Sequence, residues 1–284
     1  MISAIEADWL SASRRAADAL RAILAQRPTT SERAVEVGLG EGGDRTLVID
    51  ERAEEAVFHE LDTLHAEGHR FLAVSEERGE VDYGDDAVRV IIDPIDGSLN
   101  AKRGISHHAI SIAVADGETM ADVAFGYVRD LATGEEFVAR RGAGATLDGN
   151  AVSREPGERR RGGKLEILGI ESADPRWVAQ SAAALAERAH RLRAIGSIAV
   201  SLCQVAAARF DGLVTLKGCR SVDAAAGQLI VREAGGRVAF IAYSDPLAAP
   251  LDLEPHSPLV AARTAEGLAE LAEIPSVNLM KENS

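Results

Sequence analysis

An α/β fold with a mixed α+β N-terminal half is the class this sequence predicts, on three observations. Beyond residue 163, short apolar strand-like runs alternate with amphipathic runs of helix length. Before residue 148, two helical patterns precede a series of strand-like runs separated by turn residues. The 284 residues are 46% hydrophobic and 27% charged, enough for one large core or two medium ones.

The elements read in order as follows. ADWLSASRRAADALRAILAQR (7–27) spaces Leu10, Ala17, Leu20, Ile23 and Leu24 as one face of a helix. A weakly apolar, glycine-broken stretch, VEVGLGEGGDR, leads to a second helix from about Asp50, where Ala53, Ala56, Val57, Leu61 and Leu64 share a face and Gly68 supplies a stop. FLAVS (71–75) and VRVII (88–92) are predicted strands joined by an acidic loop. HAISIAVADG, ADVAFGYVRD and EEFVARRG continue as strands. The polar stretch DGNAVSREPGERRRGG (148–163) marks a boundary, dividing the chain into 1–155 and 156–284. Its arginine run reads as a solvated linker rather than a phosphate-binding patch, because no aromatic residue is interleaved. Then come the strand LEILGI, the helix ADPRWVAQSAAALAER, the strand RLRAI, the helix SIAVSLCQVAAAR, the strand DGLVTL, the helix VDAAAGQLIVREAGG and the strand RVAFIA.

Charge and composition exclude some functions. A net charge of −14 argues against a general nucleic-acid or membrane-surface binder, which needs a basic face. No run of about 18 apolar residues predicts a membrane span. MISAIEADWL lacks the basic and apolar regions of a secretory signal, so a cytoplasmic location is expected. Cys203 and Cys219 have no CxxC spacing and fit reduced thiols rather than a disulfide or zinc framework.

The chemistry concentrates at DPIDGSLN (93–100), which follows the apolar run VRVII. A carboxylate at the end of a buried strand is costly to desolvate unless something positive meets it. Pro94 biases Asp93 away from helix, Gly97 permits a tight turn, and Ser98 suits an N-cap. Asp93, the Ile95 carbonyl and Asp96 then point at one small volume. An Asx turn with helix capping explains the same residues without a ligand. Three further acidic sites shift the balance: Glu76 and Glu77 at the end of FLAVS, Asp50 at a helix start, and Asp223 in a first helical turn with Ser221 as a possible cap. An all-oxygen ligand set without His or Cys selects Mg²⁺, Mn²⁺ or Ca²⁺ rather than zinc.

The blocks GDRTLVID, SEE, IIDPIDGSLN and VDAAAGQLIVREAGG resemble, in order, those of the inositol monophosphatase and fructose-1,6-bisphosphatase superfamily. GYVRDLATGEEFVARRGAGATLDG and the DGS form are most similar to its archaeal-type, dual-specificity branch. The resemblance spans nearly the whole chain. It implies a layered α/β/α/β/α sugar-phosphatase fold, a homodimer, and a lithium-sensitive phosphomonoesterase using two or three Mg²⁺ ions, with Mn²⁺ as an alternative. The implied substrates are small sugar or polyol phosphates, namely inositol 1-phosphate and fructose 1,6-bisphosphate. Carried over by residue, it makes Glu76, Asp93 and the Ile95 carbonyl ligands of a first ion. Asp93, Asp96 and Asp223 hold a second, and Glu76 helps a third position water. Ser98, standing where threonine is commoner, orients that water and pairs with Asp50. Gly97 and Ser98 receive the phosphate through backbone N–H groups, and Gly196 and Ser197 are candidate substrate contacts. Arg220, close to Asp223 in sequence, is a further one, whose guanidinium could grip a second phosphate bidentately or be a surface charge. Such chemistry suits phosphoryl transfer, which needs charge neutralisation and in-line placement.

Two positions depart from the pattern. Val222 stands where a tryptophan is usual, and Thr215 or Leu216 stands where inositol-specific members carry a ring-facing glutamate. Lys217 and Arg220 lie close to Asp223 in sequence. Two other readings compete: a 3′-phosphatase for adenosine 3′,5′-bisphosphate, and a catalytically silent phospholigand binder of the same fold. His107 and His108 fit a strand edge better than a ligand pair. Gly40, Gly42 and Gly43 lack the GxxxxGK[ST] spacing of a phosphate loop, and the family implies a mobile loop there.

Overall fold

The computed structural model describes residues 4–26, 36–39, 45–153 and 157–274. Helix α1 (Trp9–Ala25) is capped by the Asp8 side chain, which accepts from the Ser11 N–H, and it buries Trp9, Ala16, Ala17 and Leu20. A short antiparallel pair, β1 (Glu36–Leu39) and β2 (Arg45–Leu47), leads into α2 (Val48–Ala66). The two helices bury their apolar faces together: Trp9 meets Phe71 edge-on at 5.4 Å, and Ala53, Val57, Leu61 and Leu64 share the same core.

Beneath them lies a sheet of eight strands among the described residues: β3 (Leu72–Ser75), β4 (Gly79–Asp82), β5 (Arg89–Asp96), β6 (Ala109–Ala115), β7 (Val123–Asp130), β8 (Glu136–Arg140), β9 (Gly144–Leu147) and β10 (Asn150–Ala151). Their order is β10-β9-β8-β7-β6-β5-β3-β4, and only the β3–β5 pair is parallel. Side chains alternate across the sheet with period two. Val90 and Ile92 therefore join the α1/α2 core, while Ile91 faces the other side. This explains why VRVII is apolar throughout: both faces of its strand are covered.

The second sheet comprises β11 (Arg160–Arg161), β12 (Lys164–Glu171), β13 (Ala189–Arg193), β14 (Gly212–Thr215), β15 (Arg237–Phe240) and β16 (Leu259–Ala262). It is mixed, because β16 inserts antiparallel between β14 and β15. After the short α3 (Ser98–Arg103) come α4 (Pro175–Arg188), α5 (Ile198–Ala206), α6 (Ser221–Glu233) and α7 (Ala265–Leu271). Helices α5 and α6 are buried in one core with Val74, Ile91 and Phe137 of the first sheet and Leu213, Val238 and Leu259 of the second. Leu185 of α4 and Leu271 of α7 pack against Leu168, Val214 and Val260 on the other face of the second sheet. The layers run α/β/α/β/α, as the sequence predicts.

A helix buried on all sides must approach its neighbours closely, and α6 does so through small residues. A Cβ on Gly126 of β7 would stand 2.8 Å from the Ala226 carbonyl oxygen of α6. The AAAG run of α6 is thus a packing device that brings the helix onto the first sheet.

The pattern reading differs from the fold at several short elements. Strand β4 lies within the predicted acidic loop, and β9, β10, β16 and α7 are too short to stand out alone. The arginine run after residue 157 is not free linker. Arg159 pairs with Asp211 at 3.0 Å and Arg160 with Glu270 at 2.7 Å, fastening this segment to the second sheet and α7. No helix among the described residues is long and apolar enough to cross a membrane.

Candidate active site

The site begins with an irregularity in β5. Its register against β6 pairs Asp93 with Ser111 and Asp96 with Ala109, so three steps on β5 match two on β6. One residue is extra. Pro94, which has no N–H to donate to the ladder, sits in this bulge, where proline is tolerated. In an unbroken strand, residues three apart face opposite sides. The bulge cancels that alternation and lets Asp93 and Asp96 meet in one volume. The Asp93 carboxylate accepts from the Ile95 N–H at 2.9 Å, closing the Asx turn. Gly97 follows at φ +91°, and a Cβ there would stand 3.0 Å from the Gly196 carbonyl and 3.2 Å from that of His107.

Two capping expectations are corrected. The N-cap of α3 is Gly97, not Ser98, and the Ser98 hydroxyl donates to the Ile95 carbonyl at 2.9 Å. The N-cap of α6 is Arg220, not Ser221, whose hydroxyl donates to the Asp252 carbonyl. In both turns the serine is the first residue inside the helix rather than its cap, and its hydroxyl donates to a carbonyl outside the helix.

The first turn of α6 delivers Asp223 beside the β5 carboxylates. One oxygen each from Asp93, Asp96 and Asp223 lies within 4.8 Å of the other two, and all three residues are buried. Glu76, just past β3, is held on the far side by Arg220. The Arg220 Nη2 lies 2.6 Å from Glu76 Oε1 and 3.4 Å from Asp223 Oδ1, and its backbone N–H donates to Asp223 Oδ2 at 3.2 Å.

Two hollows adjoin the cluster. A narrow one, without room for a water molecule, is lined by Asp50, Glu76, Glu77, Asp93, Ile95 and Ser98, among others. An open cleft of about 630 Å³ is lined by Asp96, Gly196, Ser197, Lys217, Arg220 and Asp223, among others. The structure therefore brings all the sequence-selected residues except Gly97 to these two walls, and Gly97 lies between Ile95 and Ser98 in the same turn. His107 and His108 lie elsewhere: His107 Nδ1 is 2.9 Å from Asp130. Thr215 is buried and bonded to the Leu259 N–H and the Lys217 carbonyl, which fixes the loop leading to Asp223. Gly40, Gly42 and Gly43 lie outside the described residues.

Electrostatics in this volume are dominated by crowded negative charge. Burial, then Glu76, Asp96 and Asp223, raise the Asp93 carboxyl well above its ordinary range. Asp96 is pushed up to about 8, by burial first and Asp223 second. Glu76 is raised by burial and partly relieved by Arg220. Buried, mutually repelling carboxylates with only oxygen donors fit a hard divalent cation, whose charge would relieve all of them together.

Support from the second half was less visible in sequence. Asp96 accepts from the Ser197 hydroxyl and from the Ala199 N–H at the start of α5, both at 2.6 Å. Glu171, which the sequence reading missed, ends β12 on the cleft wall. It is buried and accepts from the Ile195 and Gly196 N–H groups, at 2.9 and 3.0 Å, and from the Ser201 hydroxyl at 2.6 Å. The available signal was the one used for Glu76, a carboxylate at the end of an apolar strand. Asn100 completes the tie, donating to the Ile195 carbonyl at 2.8 Å and the His107 carbonyl at 3.0 Å.

With this layered fold and a carboxylate cluster beside a cleft, the chain is a hydrolase of the phosphatase class, as its family and relatives show. The chain belongs to the inositol monophosphatase family, whose model matches residues 6–275. It is 34% identical over 236 residues to the fructose-1,6-bisphosphatase/inositol-1-monophosphatase of Archaeoglobus fulgidus, covering 82% of this chain and 84% of that protein. It is also 34% identical over 209 residues to the Nus factor SuhB of Escherichia coli K12, covering 72% and 75%. Among solved structures, an inositol monophosphatase–fructose 1,6-bisphosphatase superposes with a TM-score of 0.79 at 23% identity, covering 94% of this chain and 99% of the other, a likeness of fold. An IMPase from Thermotoga maritima superposes at 0.74 with 25% identity, covering 97% and 98%.

Proposed function

We propose that this protein is a Mg²⁺-dependent phosphomonoesterase that hydrolyses a small sugar or polyol phosphate, with inositol 1-phosphate and fructose 1,6-bisphosphate as the substrates to test first. One observation carries the reading: Asp93, Asp96 and Asp223 converge within 4.8 Å at the edge of a cleft roomy enough for a sugar phosphate. Glu76, Asp93, the Ile95 carbonyl, Asp96 and Asp223 would hold the ions. When bound, Mg²⁺ neutralises phosphoryl oxygens and lowers the pKa of water.

The chain's own residues supply placement. The Ser98 hydroxyl is anchored on the Ile95 carbonyl beside Asp50 and Glu76, where it would orient an attacking water. The backbone at Gly97 and Ser98 would take the transferred phosphate. Gly196, Ser197 and Lys217 line the cleft in which the sugar or polyol would lie. The absence of a ring-facing carboxylate at Thr215 and Leu216 favours a substrate range broader than inositol alone. Family resemblance adds a homodimer to this reading, and the free cysteines Cys203 and Cys219 add a cytoplasmic setting.

Phosphate release tests it. Purified protein with inositol 1-phosphate, fructose 1,6-bisphosphate and adenosine 3′,5′-bisphosphate should release phosphate from the first two in Mg²⁺ and from none in chelator. Preference for the nucleotide would favour the 3′-phosphatase reading, and silence on all three would favour a phospholigand binder.

A further inference from the structure

Arg220 stands on the boundary between the two hollows. It lines the cleft, yet its guanidinium reaches Glu76, a wall of the narrow hollow, at 2.6 Å and Asp223 at 3.4 Å. Its side chain is only 20% exposed. Buried carboxylates of one sign need a counter-charge, and this guanidinium supplies one. Divalent cations held by Glu76 and by Asp223 would supply the same counter-charge to these two carboxylates. A guanidinium and a divalent cation drawn to the same carboxylate repel each other at such short range, so each weakens the other's hold.

We infer that Arg220 competes with divalent cations for Glu76 and Asp223, and so sets the affinity of the adjacent ions that these two carboxylates hold. As those ions load, the guanidinium moves off toward the adjoining cleft, where its planar fork suits an anionic substrate group. Ion loading and exposure of an anion-binding arginine are then one event. The inference rests on the reading of this site as a divalent-cation centre. It assigns Arg220 a role that neither metal coordination nor helix capping requires.

Calorimetric titration of Mn²⁺ into metal-stripped full-length protein, without substrate, tests the competition. Arg220→Gln should bind Mn²⁺ about tenfold more tightly than wild type, the scale of one lost charge-assisted contact, with Arg220→Lys between them. Equal or weaker binding by a folded Arg220→Gln overturns the inference. A second measurement uses the wild-type chain, so it survives any misfolding of that variant. The Arg220 Nε–Hε resonance, assigned by its loss in Arg220→Lys, should exchange faster with solvent as Mg²⁺ is added. An unchanged exchange rate at saturating Mg²⁺ overturns the inference while leaving the phosphatase reading intact. If neither ion binds to any of the proteins, the divalent-cation reading falls and this inference falls with it.

Discussion

The Ser197 hydroxyl donates to Asp96 at 2.6 Å and accepts from the Val200 N–H at 3.2 Å, so one atom caps α5 and holds a carboxylate of the cluster. This joins the end of β5 to the second half of the chain. Ser197→Ala should lose about 1–2 kcal/mol of stability as a missing cap. Because Asp96 loses its tether as well, kcat should fall about tenfold or more, with Ser197→Thr largely restored. Melting temperature and kcat measured on both variants check this. A lower melting temperature with normal turnover in the alanine variant would show that the serine serves the helix alone.

Asp223 depends on the placement of an entire helix. Its replacement by Asn keeps the shape and removes the charge. Turnover should fall on the order of a thousandfold, several kcal/mol of transition-state stabilisation, as when a carboxylate that holds a catalytic ion is lost. Retention of a tenth of wild-type activity would refute the assignment.

Ser98 gives a cleaner separation because the structure removes its capping role. Its hydroxyl donates to the Ile95 carbonyl instead. Ser98→Ala should therefore change the melting temperature little while lowering kcat far more than it raises KM, and Ser98→Thr should stay active. A variant with normal kcat would exclude water orientation.

What the sequence made legible was local. The Asp93–Asp96 spacing, the intervening proline and the following glycine are read within eight residues, and they produce the bulge that unites the two carboxylates. The alternation of strands and helices likewise showed the α/β arrangement of the second half, while the order of all the layers came from the family resemblance. What it hid depends on partners distant in the chain. Glu171 looks like any strand-end carboxylate until Ile195, Gly196 and Ser201 fold around it. Arg220 reads as a substrate contact in the sequence, and only the fold shows its pairing with Glu76 at 2.6 Å. Strand β16 has a short apolar run, and its insertion between β14 and β15 is set by neighbours rather than by its own pattern.

The same long-range dependence makes Gly126 testable. Its Cα faces the Ala226 carbonyl, a backbone group that cannot rotate aside, and the contact fixes how deeply α6 seats. Gly126→Ala should cost about 1–3 kcal/mol through overpacking. It should also lower kcat, since α6 carries Asp223. Unchanged melting temperature and turnover would mean that the helix has more play than this geometry shows.

Glu54 offers a test by pH. It is buried on α2, accepts from the Ser75 hydroxyl at 2.9 Å and lies 3.9 Å from Arg78. Burial raises its pKa to about 7, against an ordinary 4.5. Between those values the folded chain keeps a proton that the unfolded chain has released, so stability must fall as pH rises through this window. The contribution is fully present below about pH 4.5 and is lost above pH 7, a change of about 3 kcal/mol in order of magnitude. Glu54→Gln retains an acceptor for Ser75 and has no proton to lose. Urea unfolding in chelator should thus show wild type losing stability relative to Glu54→Gln between pH 5 and pH 8. Because Ser75 immediately precedes Glu76, the charged form should also loosen the strand end that presents Glu76, and hydrogen exchange at residues 74–76 should rise over the same interval. Parallel pH profiles for the two proteins would mean that Glu54 is ionised in the folded state and stabilised by Arg78.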